Sequence, residues 1–346
     1  MKAAALKGSR LMEVVELPET EPDAGEVRLR VAYCGICGSD MHEYESANPP
    51  RSLGLMQPVM GHEFSGTIVS LGAGVTAFRP GQAVVGNPGA GCGTCRYCAA
   101  GRENLCRAAT MTGGGMGYTR PGAYAEYVTL PERSVVPLPD GADLRSAALT
   151  EPLAVARHAL IQGGYRPDEA LVVAGAGPIG LLTVIAARHM GGARIIVSEP
   201  LPGRRSAAES AGATHVVEPA QLMAVAQQLT NGDGADLSVD ASGLPAGIAD
   251  CTNATARGGR IVLAGVGEQP YSLDILRSII NEYTYIGVLG YTRSEFAETA
   301  MMIARGDVDV SSVISQTVSV EATPDAFARL SDGRNELRKV LVSPDA

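Results

Sequence analysis

The sequence contains no tryptophan, only 4 phenylalanines, and an aromatic content of 4%. So few aromatic faces leave little on which the bases of a single-stranded nucleic acid could stack. Basic residues are not in excess either: 28 Lys and Arg against 37 Asp and Glu give a formal charge of −9. The acidic residues are spread along the chain, so neither nucleic acid nor an anionic membrane surface is expected as a partner. The opening residues, MKAAALKGSRLMEVVELPE, show no long apolar segment and no small-residue cleavage site, and no export signal is expected there. One run, LVVAGAGPIGLLTVIAARHM (171–190), approaches the ~20 apolar residues that span a bilayer. Its Gly175, Gly177, Pro178 and Gly180 suit a strand, turn and helix better. The expectation is a cytoplasmic protein that does not insert in a membrane.

There are 7 cysteines: Cys34, Cys37, Cys92, Cys95, Cys98, Cys106 and Cys251. An odd count without an export signal points to a reducing compartment, where clustered thiols bind metal more often than they pair. With 346 residues the chain has room for two domains. Up to about residue 150 it reads as short β segments divided by Gly and Pro: EVRLRVAYCG, FSGTIVSLGAGV, GQAVVGNPG and AYAEYVTLP. From Ala170 to about Tyr285 the texture changes. Six apolar runs (ALVVAGAG, ARIIVSEP, THVVEP, ADLSVDASG, GRIVLAGVG and YTYIGVLG) alternate with helical stretches. Continuous apolar strands separated by helices predict a parallel sheet covered on both faces, and six is the count of a doubly wound dinucleotide fold. The tail from Tyr291 returns to mixed helix and strand and closes with RKVLVS.

VVAGAGPIG supplies Gly175-x-Gly177-x-x-Gly180 between a predicted strand and a predicted helix. A second strand, RIIVSEP, ends in Glu199, at the distance where an acidic side chain accepts the hydroxyls of an adenosine ribose. Gly175 and Gly177 would let the backbone approach a pyrophosphate, which the N–H groups at the start of the helix, around Pro178 and Ile179, would receive. Gly180 would pack helix on sheet. Glu199 would repel a 2′-phosphate, so NAD is expected over NADP, although Arg204 and Arg205 lie nearby.

GCGTCRYCAAGRENLC places Cys92, Cys95, Cys98 and Cys106 in C-x2-C-x2-C-x7-C order. Two-residue gaps let successive thiolates bite one ion, and four thiolates suit a closed tetrahedral zinc that supports folding and performs no chemistry. The alternatives are disulfides, which conflict with the inferred compartment, and an iron–sulfur cluster, whose spacings differ. Cys37, His62, Glu63 and Glu151 remain as scattered candidates that no local pattern unites. The pair Cys34 and Cys37 reads equally as a redox dithiol, half of a zinc site, or coincidence.

Taken together these motifs resemble the zinc-containing medium-chain alcohol dehydrogenases. The run from Gly61 to Val75 fits that family's pattern G-H-E-x2-G-x5-G-x2-V at every fixed position, and the cysteine lobe and glycine-rich turn follow in the family's order. CGICGSDMHEY, MGHEFSG, EPLAVA and GAGPIGLL are most similar to the polyol, butanediol and threonine dehydrogenase branch. The resemblance implies an α/β protein with a GroES-like β-rich catalytic domain (1–152 and 289–346, with the structural-zinc lobe at about 88–108). The Rossmann six-stranded parallel domain would be 153–288. It implies two Zn2+ per chain, NAD, and a small alcohol or ketone as substrate in a homodimer or homotetramer paired through an edge strand such as YTYIGVLG.

Cys37 and His62 would hold the catalytic zinc, completed by Glu63, Glu151 or water. Ser39 and His42 would carry the alcohol's proton outward, with Asp40 orienting a ligand. Val266 and Leu289 would join Gly175, Gly177, Pro178, Ile179, Gly180, Glu199 and Arg204 around the cofactor. Cys34 then becomes a small core residue. Ser39, Tyr44, the region after Pro49 and residues near Leu289 would surround the substrate. The glycine-rich stretch 108–128 either lines that pocket or is an ordinary surface loop. The implied reaction moves a hydride between a secondary alcohol (vicinal diol, polyol or amino alcohol) and NAD. A carbonyl or hydroxyketone reductase of the same family, or a non-catalytic NAD- and zinc-binding protein, is the alternative.

Overall fold

The structure, a computed structural model, describes residues 1–47, 58–106, 115–117, 120–267, 269–332 and 336–346. The substrate-pocket segment expected after Pro49, and residues 108–114 and 118–119 of the glycine-rich stretch, lie outside the described residues. So do the last two residues of the expected lobe, 107 and 108. Two compact units emerge: Met1–Glu151 with Tyr291–Asp307 and Ile314–Ala346, and Pro152–Gly290 with Val308–Val313. The short segment 308–313 thus groups with the second unit, whereas the sequence places all of 289–346 in the first.

The first unit is built on a seven-stranded sheet. Its order is Ile314–Val318, Lys339–Val342, Glu26–Gly35, Glu63–Leu71, Ala83–Gly86 and Val135–Pro137, with Tyr127–Pro131 also pairing with Glu26–Gly35. The long strand Glu26–Gly35 is central because its apolar residues Val27, Leu29 and Val31 are all buried and Cys34 follows them into the same core. An N-terminal hairpin, Lys2–Gly8 with Leu11–Glu16, is not legible in the sequence. Its AAAL segment has high helix propensity, yet Ala3, Ala4, Ala5 and Leu6 are wholly buried in that core, so tertiary packing decides.

Register matters most where three strands meet. Gly35 lies opposite Glu63 on one side and Leu341 on the other. That register brings the side chains of Glu63 and Lys339, 276 residues apart, together beside Gly35. A Cβ at position 35 would stand 2.1 Å from Glu63 Oε2 and 3.2 Å from Lys339 Cδ, so the pair occupies the space a side chain would fill.

The second unit is a six-stranded parallel sheet in the order His215–Val217, Arg194–Ser198, Ala170–Ala174, Ala235–Asp240, Thr255–Leu263 and Thr284–Gly287. All six strands coincide with the six apolar runs of the sequence. The order reverses between Ala170–Ala174 and Ala235–Asp240, the switch point at which doubly wound sheets bind dinucleotides. Helices Pro178–His189, Pro202–Ser210, Pro219–Leu229 and Pro245–Ala254 each begin with Pro, whose fixed φ and missing N–H suit the first helical position. Among the described residues no helix is long and apolar enough to cross a membrane. The run 171–190 is a strand, a turn and a helix.

The helix Pro178–His189 is seated on its strand through Gly180, where a Cβ would lie 1.9 Å from the carbonyl oxygen of Gly175. Gly180→Ala must therefore push the helix off the turn, with an expected loss of about 1–3 kcal/mol. Thermal denaturation measures it, and an unchanged melting temperature would show that the turn relaxes freely.

Candidate metal centre and dinucleotide turn

After Gly35 the chain passes through Ile36 into the helix Gly38–Glu45, whose N-cap is Cys37. Asp40, the third residue of that helix, turns back so that its Oδ2 accepts the Cys37 N–H at 3.1 Å, which fixes the start of the helix. The same Oδ2 accepts the Tyr124 O–H at 2.6 Å, and Oδ1 lies 3.5 Å from His62 Nδ1. Burial opposes ionisation of Asp40, but His62, Tyr124 and the Cys37 N–H outweigh it and hold the carboxyl below its usual range. A carboxylate beside Nδ1 favours the tautomer protonated there, which makes Nε2 the basic nitrogen.

Cys37, His62 and Glu63 converge: one potential ligand atom from each lies within 4.8 Å of the others. Both oxygens of Glu63 are engaged, because Lys339 Nζ donates to Oε2 at 2.6 Å and Oε1 at 2.8 Å. The third ammonium proton goes to the Ile36 carbonyl at 2.9 Å. Burial works against the charge on Lys339, yet Glu63 beside it holds its pKa above the ordinary value. Glu151 is not among the three that converge. It heads the helix Thr150–Gln162 and is hydrogen-bonded by Tyr291. Burial pushes its carboxyl up to about 7, Glu63 adds to the shift, and His62, Lys339 and Tyr291 oppose it.

The Cys37 thiol and the carboxyls of Glu63 and Glu151 thus act together on the Lys339 ammonium, a donor set that a divalent cation would engage. A thiolate, an imidazole and a carboxylate with one position left over are the ingredients of an open zinc site. Tyr124, Lys339 and Tyr291 escape the sequence reading. Only the apolar RKVLVS context of Lys339, which makes a lysine in a buried strand unusual, could have pointed to it.

Cys92, Cys95, Cys98 and Cys106 likewise gather within 4.8 Å of one another, and none is in a disulfide. Cys92 N–H donates to Cys106 Sγ at 3.4 Å, and Cys95 Sγ lies 3.6 Å from Cys98 Sγ. The Thr94 hydroxyl and N–H bring the Cys92 thiol down to about 5, and burial raises Cys98 to about 12. Four thiols so close with no disulfide fit a tetrahedral thiolate zinc.

Ser39 and His42 share the helix Gly38–Glu45, three residues apart. Ser39 Oγ is buried without a hydrogen-bond partner, and His42 is half-buried. The cap of this helix is Cys37, so the Ser39 hydroxyl is not spent on capping. Cys34 is wholly buried in the core, where burial raises its thiol well above the usual range. Tyr44, expected beside the substrate, instead packs in the core, its ring 5.3 Å from that of Phe327. It is drawn there because the side of the helix that carries it faces Phe327 of the helix Thr323–Ser331.

In the second unit Gly175 takes a left-handed φ of 97° and Gly177 caps the helix that Pro178 and Ile179 open. A Cβ on Gly177 would meet only open space, so a ligand can approach the backbone there. Glu199 is 3% exposed. Its Oε2 accepts the Ala176 N–H at 2.8 Å and its Oε1 the Leu201 N–H at 2.9 Å. It therefore braces the glycine turn as well as standing at the end of the second strand. Arg205 is committed: Nη1 donates to the carbonyls of Glu199 and Pro200 at 3.0 and 2.7 Å, and Nη2 pairs with Glu218 at 3.1 Å. Arg204 is part-buried at the start of the same helix. Val266 and Leu289 are exposed just beyond the carboxyl ends of the fifth and sixth strands in sequence.

These two constructions, an open thiolate–imidazole–carboxylate cluster and a glycine turn at the switch point of a six-stranded sheet, define a metal- and dinucleotide-dependent oxidoreductase. The alcohol dehydrogenase GroES-like domain matches residues 23–140, and the zinc-binding dehydrogenase domain matches residues 178–305. The chain is 35% identical to 2-dehydro-3-deoxy-L-galactonate 5-dehydrogenase of Pseudoalteromonas atlantica, over 100% of this chain and 99% of that one. It is 31% identical to sorbitol dehydrogenase of Bacillus subtilis, over 100% and 98%. A zinc-binding dehydrogenase from Sinorhizobium meliloti 1021, solved bound to NADP, superposes with a TM-score of 0.90 at 29% identity, covering 99% of each chain. The chain belongs to the zinc-containing alcohol dehydrogenase family, in its polyol and threonine dehydrogenase branch. It is an oxidoreductase that uses zinc and a nicotinamide cofactor.

The raised pKa of Glu151 has a measurable consequence once the ion at the open site is stripped with a chelator. The native carboxyl keeps its proton to about pH 7, whereas an ordinary one releases it near 4.5. Between those values the native state binds more protons than the unfolded chain, so its stability falls as pH rises. Urea denaturation at several pH values should show this fall in the wild type and its absence in Glu151→Gln. Equal pH dependence in both would contradict the burial of this acid.

Proposed function

We propose that the protein oxidises a secondary hydroxyl of a polar, polyhydroxylated compound (a diol, polyol, sugar acid or amino alcohol) with NAD, in the cytoplasm. The observation that carries this reading is the convergence of Cys37, His62 and Glu63, with a buried Ser39 hydroxyl that has no partner two residues after Cys37. The similarity to enzymes named for 2-dehydro-3-deoxy-L-galactonate and for sorbitol supports a polyhydroxylated substrate.

Cys37 and His62 hold the ion, with Glu63 or Glu151 as the carboxylate donor. A zinc held there would supply Lewis acidity toward an alcohol oxygen, and a bound nicotinamide would supply a hydride acceptor. Asp40 fixes the His62 ring and its tautomer. The Ser39 hydroxyl takes the substrate's proton and His42, one helical turn on, delivers it to water. A buried hydroxyl without a partner is suited to that transfer because its lone pairs are uncommitted.

Gly175, Gly177, Pro178, Ile179 and Gly180 form the pyrophosphate turn, and Glu199 and Arg204 meet the adenosine ribose. Val266 and Leu289 lie where the rest of the cofactor would run. NAD is preferred to NADP because Glu199 is an acid at the ribose position and Arg205, the neighbouring cation, is already paired with Glu218.

The oligomer is a homodimer or homotetramer. The edge strand Thr284–Gly287 and the exposed Ile275, Leu276, Ile279 and Ile280, at 59–68% exposure, support pairing between copies.

Following NAD and NADP reduction over diols, sugar alcohols, sugar acids, threonine and simple alcohols tests this reading. Polyhydroxylated secondary alcohols with NAD should give the highest kcat/KM, and Ser39→Ala should lower kcat about 100-fold or more while retaining zinc. Activity confined to primary alcohols, or a near-normal Ser39→Ala, would contradict it.

A further inference from the structure

We propose that Lys339 is a positioning residue that competes with the metal for the Glu63 carboxylate, keeping Glu63 an exchangeable donor and one position on the ion open for substrate. The proposal rests on the reading that Cys37 and His62 hold zinc.

The ammonium is 2% exposed and all three of its protons are placed, two on Glu63 and one on the Ile36 carbonyl. The Ile36 carbonyl is main chain and the strand register sets the base of the lysine stem, so the hydrogen bond to Ile36 favours keeping the ammonium in place if the carboxylate moves. Glu63 is 1% exposed. Its carboxylate oxygens accept from the Lys339 ammonium and stand within 4.8 Å of the Cys37 and His62 ligand atoms, so an ion held there would compete with the ammonium for them. An oxygen bound to both is a weaker donor to each, since the lone-pair density is shared.

Glu151 differs. Its hydrogen-bond partner is the neutral Tyr291 hydroxyl, and Lys339 acts on it through charge rather than as the hydrogen-bonding partner it is to Glu63. The two candidate carboxylates are thus unequal by construction: Glu63 is held back by a cation, and Glu151 is held by a phenol. Gly35 makes this possible, since any side chain there would displace Glu63 Oε2. Removing the ammonium charge should let Glu63 bind the ion permanently, raising its coordination number and slowing its release.

Cobalt substitution at the open site of the holoenzyme reads coordination directly, because the visible bands weaken as coordination rises from four to five. In Lys339→Met the bands should weaken and cobalt release to a chelator should slow at least tenfold. KM for the alcohol should rise and kcat fall. Lys339→Arg should restore the wild-type bands. In a Glu63→Gln background, adding Lys339→Met should leave the bands unchanged, since no carboxylate remains to be released. Should Lys339→Met fail to fold, Lys339→Gln, which keeps one donor for Glu63, carries the same comparisons. Wild-type bands and release rates in the single variants would overturn the role of Lys339 alone. A wild-type protein that takes up no cobalt at Cys37 would instead overturn the metal-centre reading.

Discussion

Four acidic groups stand close together in the interior of the first unit: the Cys37 thiol and the carboxyls of Asp40, Glu63 and Glu151. Interiors tolerate charge only when it is paired or hydrogen-bonded. Each of these groups meets that demand differently. Asp40 is held ionised by Tyr124, by the Cys37 N–H and by His62. Glu63 is neutralised by Lys339. Glu151 is hydrogen-bonded by Tyr291, and it resolves the problem by keeping its proton to about pH 7. What is left over is the donor pair of Cys37 and His62, which a divalent cation would engage. The helix cap at Cys37, the register around Gly35 and the buried lysine all serve to hold these charges in place.

The same constraint explains why parts of the site could be read from sequence and parts could not. The cysteine lobe and the glycine turn are local: their spacing alone specifies the geometry, and the structure gathers both. Cys37, His62, Glu63 and Glu151 are dispersed, and only the family pattern around Gly61–Val75 linked them. Lys339, Tyr124 and Tyr291 are harder still. They reach the site through long-range packing, and for Lys339, which lies in a strand, a one-residue slip would send the side chain to the opposite face. Tyr44 failed as a pocket residue for a related reason. Its place in a helix next to Ser39 was legible, but the Phe327 ring that draws it inward lies 283 positions on.

The second unit shows the opposite balance. Its six strands and four proline-led helices follow the apolar runs and proline positions of the sequence, so the fold there was almost fully legible. The surprise is functional detail. Glu199 reads in the sequence as a ribose ligand, and in the structure its two oxygens also brace the turn through the N–H groups of Ala176 and Leu201. Replacing it would disturb the geometry of the turn. Arg205, equally visible in the sequence as a cation that could receive a 2′-phosphate, proves to be a strut between the second strand and Glu218.

On the proposed reading, one chain would hold two chemically different metal centres, a closed thiolate site to support the lobe and an open mixed-donor site for catalysis. X-ray diffraction recorded across the zinc absorption edge tests this central claim most directly. The expected result is two anomalous peaks per chain, one surrounded by the four sulfurs of Cys92, Cys95, Cys98 and Cys106, the other by Cys37 sulfur, a His62 nitrogen and oxygen donors. A single peak confined to the four-cysteine lobe, in crystals grown with zinc present, would contradict it.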